Sequence, residues 1–142
     1  MSENKVKWHP YPEEQIPKNI KRVFVTLDFC NYSKSVGIFC TNSIDSLNDK
    51  LYKVTAWAEL YDYYEKPTKK SENYCDWKSN DVKRPIDGKH VVTIVEYGRR
   101  NKKYVDTLYS YMGMFVNTDR SVIAYTDMPE PYEEEVQWLS KI

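Results

Sequence analysis

Histidine, cysteine and glycine are all scarce in this chain, and each scarcity removes a kind of chemistry. Only His9 and His90 are present, and Cys30, Cys40 and Cys75 show no C-x-x-C spacing. No zinc-type ligand set is therefore expected. The first seven residues are mostly polar and charged, which argues against a signal peptide, so three unpaired cysteines read as reduced thiols of a cytoplasmic protein. No apolar run approaches the roughly 18 residues of a membrane-spanning helix. The four glycines (Gly37, Gly88, Gly98, Gly113) are scattered, and neither a P-loop, a G-x-G-x-x-G turn nor a G-x-S-x-G elbow occurs. Asp87 and Glu96 come nearest to a nuclease carboxylate pair. The position two residues after Glu96, where such a site needs a lysine, is Gly98. Turn and strand-end roles account for both acids. Glu59, Asp62, Glu65, Asp127, Glu130 and residues 133–135 read as capping and solvating acids. The chain is expected to have no cofactor and not to be an enzyme. Twenty-one basic residues balance twenty-one acidic ones, which argues against a general nucleic-acid-coating surface.

What the chain has in quantity is aromatic surface. Thirteen Tyr and four Trp in 142 residues supply much of its apolar content. Such side chains have an apolar body and a polar tip. They suit interfaces and stacking sites, and they also suit any sheet rich in β-formers. A length of 142 residues lets roughly 68% of the unfolded surface be buried without disulfide staples. One domain over residues 1–142 is expected.

An internal repeat, residues 8–65 and 77–133, organises the reading. Trp8 aligns with Trp77, Pro17 with Pro85 and Lys21 with Lys89. The run from Val23 to Asp28 then aligns with that from Val91 to Glu96, Gly37-Ile38-Phe39-Cys40 with Gly113-Met114-Phe115-Val116, and the run from Val54 to Leu60 with that from Val122 to Met128. Both copies continue into tyrosines and acids, with Tyr64 against Tyr132. Strands are expected near 22–29, 35–41, 52–60, 89–97, 103–116 and 121–128, with a linker near 61–76. Pro131, three glutamates and Lys141 suit the two ends of a short helix over 131–142. The expected fold is mainly β (α+β): two pseudo-symmetric three-stranded antiparallel meanders sharing one core, closed by that helix.

The opening Trp8-x-Pro10 with Ile16-Pro17, and the closing run from Val122 to Pro131, resemble a family of small phage and prophage proteins of unknown function. Its members open on a tryptophan and a leucine-proline before a strand, and close on a pattern like V-x-H-W-M-P-L-P-E-P-P. Ala124-Tyr125 stands here in place of the closing His-Trp. The resemblance implies a phage origin, a host bacterial cytoplasm and no established activity.

One motif stands out from the background. Tyr97, Arg99, Arg100, Lys102, Lys103 and Tyr104 put four cations between two tyrosines in a hairpin tip, and strand alternation places Tyr109 and Tyr111 on one face further along. Such cations bind phosphate and such rings stack on bases. The same charges also protect an edge hairpin from aggregation. The favoured reading is a non-enzymatic anti-defence protein that sequesters a nucleotide-type signal, of the cyclic dinucleotide class. The alternative is an inhibitor or adaptor that binds a host defence protein through its Tyr, Trp and Arg. Homo-oligomerisation through open β edges is a further expectation.

Overall fold

Among the described residues, runs rich in Val, Ile, Thr and aromatic residues form most of nine strands. They are β1 (His9–Pro10), β2 (Arg22–Phe29), β3 (Ser33–Cys40), β4 (Tyr52–Glu59), β5 (Lys78–Ser79), β6 (Gly88–Glu96), β7 (Lys102–Tyr111), β8 (Met114–Phe115) and β9 (Val122–Asp127). The computed structural model describes residues 6–30, 33–64, 75–80, 83–96, 102–116 and 121–133. The chain is mainly β, in two antiparallel sheets ordered β1-β4-β2-β3 and β5-β9-β6-β7-β8.

The sheets repeat one pattern of pairing. In the first, Thr26 lies opposite Ala56 and a register shift follows between Thr26 and Leu27; in the second, Thr93 lies opposite Ala124 with a shift between Thr93 and Ile94. The short strands match as well, with His9 opposite Trp57 and Lys78 opposite Tyr125. The structure departs from the sequence expectation in three respects. Neither unit is a meander, because the third long strand pairs with the first (β4 with β2, β9 with β6) and not with the second. Equivalence of Thr26 and Thr93 moves the β2–β6 alignment by one residue. The counterpart of β3 is β7, since Val36 faces Thr26 as Val105 faces Thr93, so the Gly113 run is a separate return strand.

The crossover topology has a packing reason. To reach the far side of β2, the chain passes over the outer face of its sheet through two 3₁₀ turns (Thr41–Ser43 and Asp45–Leu47) and inserts Ile44 between them. Ile44 is buried with Val23, Val25, Val54 and Trp57. In the second sheet Phe115 does the same work, buried with Val92, Ile94, Val122 and Tyr125. Each sheet is thus covered on both faces, which explains why β2 and β6 read as nearly unbroken apolar runs. The inner faces meet over a shared cluster containing Phe24, Val36, Ala58, Tyr61, Trp77, Val91, Val105 and Ala124.

Side chains cross between the sheets in matched pairs. Arg22 donates to the Val105 carbonyl at 2.8 Å, and Lys89 donates to the Val36 carbonyl at 2.8 Å. The segment after each sheet's last long strand lies on the other sheet. Tyr64 N–H donates to Thr93 Oγ1 (2.9 Å) and Tyr132 N–H to Thr26 Oγ1 (3.0 Å). Trp77 Nε1 donates to the Asp62 carbonyl and Trp8 Nε1 to the Glu130 carbonyl, both at 2.9 Å. This docking corrects the expected C-terminal helix over its described part: residues 131–133 are not helical, because Tyr132 spends its N–H on the opposite sheet. The rest of that segment, and residues 65–74 of the expected linker, lie outside the described residues.

Candidate binding surface

The described residues of the expected site are spread along one strand, from Lys102 at its start to Tyr111 at its end. Tyr97, Arg99 and Arg100 lie outside the described residues. Lys102 begins β7 opposite Glu96, and Lys103 lies opposite Val95. Lys103 is already engaged: its Nζ reaches the Tyr64 carbonyl at 3.5 Å and lies 5.8 Å from the centroid of the Tyr63 ring. Tyr104 faces the other way and packs on the outer cluster of its sheet. Tyr109 and Tyr111 do share a face, as alternation predicts. Six residues separate Lys103 from Tyr109, roughly 20 Å at the rise of an extended strand. Lys102 and Lys103 therefore stand at the opposite end of β7 from the tyrosine pair.

The tyrosine end forms a different kind of surface. Lys89 of β6 lies opposite Tyr109, and Tyr111 lies opposite Met114 of β8. Val116 N–H donates to the Tyr109 carbonyl at 3.1 Å, which continues the same register. Tyr109, Tyr111, Met114 and Val116 thus share the face that carries Val105 in the core, on a stretch the first sheet leaves uncovered. They are 62%, 57%, 55% and 48% exposed, and Met112 and Ile86 beside them reach 79% and 77%. Six neighbouring exposed apolar residues form a contiguous patch, unlike the singly scattered surface hydrophobes of ordinary proteins. Residues 107–118 contain no charge, in a chain that is 30% charged.

The hairpin is held rigidly. Met112 (φ 53°) and Gly113 (φ 78°) are both left-handed, the requirement of the tight two-residue turn that matches strand twist. The Asp87 carboxylate accepts from Met112 N–H at 2.9 Å, so the acid first considered as half of a nuclease pair is a turn clamp. Ser110 Oγ donates to the Ile86 carbonyl at 2.6 Å, and buried Phe115 stacks edge-on with His90. Lys89 is the cation beside the platform that sequence reading missed. Its signal was present, since its cross-strand place follows once β6 and β7 are aligned. Burial lowers its pKa from the usual lysine value, and its ammonium is bonded to Val36.

Among the described residues no group of three or more His, Cys, Asp and Glu could hold a metal ion, and no helix is long and apolar enough to cross a membrane. A cleft of about 370 Å³ lies at the far end of the first sheet, lined by Asp28, Cys30 and residues 48–53. Its Asp49 carboxylate is consumed by two backbone N–H groups, of Leu51 and Tyr52, at 2.7 Å each. No protein family, curated protein or solved structure matches the chain.

Proposed function

We propose that this chain acts by binding another protein through the platform of Tyr109, Tyr111, Met114 and Val116, as an inhibitor or adaptor rather than as an enzyme or a nucleotide trap. The observation that carries the reading is four exposed apolar side chains, adjacent across β7 and β8, on a clamped hairpin without charge. A polyanion would need cations around the rings; Lys89, opposite Tyr109, is committed to the opposite sheet, and Arg84 packs beside the Gly113 turn rather than among the rings. Tyr and Met are enriched, and charge depleted, in the buried centres of protein interfaces. A preorganised hairpin also loses little entropy on docking. With the phage origin that the terminal motifs suggest, the partner class is a host protein.

A photo-crosslinking residue placed at Met114, with one at the similarly exposed Leu51 (55% and 52%) as control, tests this in the expressing cell. The expected result is one stoichiometric protein adduct from position 114 and none from 51. Tyr111→Ala should then weaken that complex by about 2 kcal/mol, roughly thirtyfold. Absence of any adduct at 114, together with a cyclic dinucleotide that raises the melting temperature, would return the reading to a nucleotide sequestrant with its site at the basic end of β7.

A further inference from the structure

The two segments that cross between the sheets are held by the same atoms in the same places. On the first sheet, Trp8 Nε1 donates to the Glu130 carbonyl, Thr26 Oγ1 accepts from Tyr132 N–H, and Lys34 Nζ reaches the Tyr132 carbonyl at 3.2 Å. On the second, Trp77, Thr93 and Lys103 make the equivalent three contacts with Asp62 and Tyr64. Both occupants have an apolar residue packed on the shared core (Leu60, Met128), an acid two residues on, and a tyrosine two residues after that. Thr26 and Thr93 are fully buried, so each hydroxyl would face an empty groove if its segment left. This is a receptor built from indole, hydroxyl and ammonium that reads the main chain of an extended peptide, with pockets at alternate side chains, the general logic of strand-like peptide recognition.

We propose that the groove of Trp8, Thr26 and Lys34 is a peptide-binding site for an extended apolar-x-acid-x-tyrosine segment, and that it takes this segment in trans from a second copy of the chain. This groove is separate from the hairpin platform, which lies on the other sheet. Main-chain recognition does not distinguish the source of the strand. A second copy carries the signature twice, at 60–64 and at 128–132. What keeps a chain closed on itself is the tethered segment's effective concentration, roughly millimolar for short connections. Weakening the tethered segment therefore opens the site to a free one.

The test uses the full chain and a labelled peptide of residues 127–134. The host variant Tyr132→Pro with Glu133→Lys deletes the N–H that Thr26 accepts and reverses the charge facing Lys34 (2.8 Å from Glu133). It should bind the peptide at least tenfold more tightly than the wild type does. Adding Thr26→Val to the host, or N-methylating the peptide's tyrosine, should abolish the gain. A peptide spanning 59–66 should compete for the same groove. For a variant that loses its cooperative melt, the wild type serves instead: millimolar peptide should move the Trp8 indole N–H resonance, and the N-methylated peptide should not. Equal binding by wild type and variant, binding indifferent to N-methylation, or an unmoved Trp8 resonance overturns the proposal.

Discussion

Cys75 lies half-buried in the shared core's margin near buried Tyr61, while Cys30 and Cys40 are exposed. Burial, opposed by a hydrogen bond with Thr126, pushes the Cys75 thiol up to about 12 from 9.0, and burial raises Tyr61 above its usual value as well. Both groups stay protonated in the folded chain at pH values where the unfolded chain releases the proton. Their contribution to stability is complete below pH 9.0 and declines as pH rises toward about 12. Denaturant titrations across that window should show falling stability, and Cys75→Ala should make the fall shallower. A thiol reagent should label two cysteines at once and the third only on unfolding. Gly113 makes a separate prediction at this scale. Its φ of 78° disfavours a side chain, so Gly113→Ala should cost about 1 kcal/mol or more in chemical denaturation.

At the scale of elements, the crossover connections do what a helix does in an α/β unit: they carry a plug across a sheet. Removing the plugs should therefore cost as much as deep core truncation. Ile44→Ala is expected to lose about 2–5 kcal/mol and Phe115→Ala about 3–5, read from urea midpoints. Five of the six expected strands were legible to within two residues, because β-branched runs and turn residues mark them; the sixth, expected over 103–116, ran through the Met112-Gly113 turn that divides β7 from β8, and the two-residue strands β1 and β5 were not foreseen. Pairing was less so. Val23, Phe24, Val25 and Thr26 are all buried, so no polar face betrays the register, and a one-residue slip between β2 and β6 leaves the pattern unchanged. The likeness of Gly37-Ile38-Phe39 to Gly113-Met114-Phe115 is local composition, a strand interior against a tight turn. For the binding surface, alternation correctly grouped Tyr109 with Tyr111. Their separation from Lys102 and Lys103 is a matter of strand length, which a linear motif conceals.

At the scale of the molecule, the two sheets are joined by reciprocal contacts. Arg22 and Lys89 occupy outward carbonyls of the opposite sheet, at Val105 and Val36, and the segments at 60–64 and 128–133 each lie on the partner sheet. Cohesion thus resides between the halves as much as within them. A protease site introduced into residues 65–74 and cut after folding should leave both fragments co-eluting in gel filtration, with a melting transition that now depends on concentration. Separation of the fragments on cutting would place the cohesion inside each half.

The reciprocal docking also orders events in time. Tyr64 and Asp62 leave the ribosome before Trp77, Thr93 and Lys103, the side chains that receive them, have been translated. Thr26 waits longer still for Tyr132. A nascent chain stalled just past the first sheet should remain open to proteolysis, and protection should arrive late, when synthesis is almost finished.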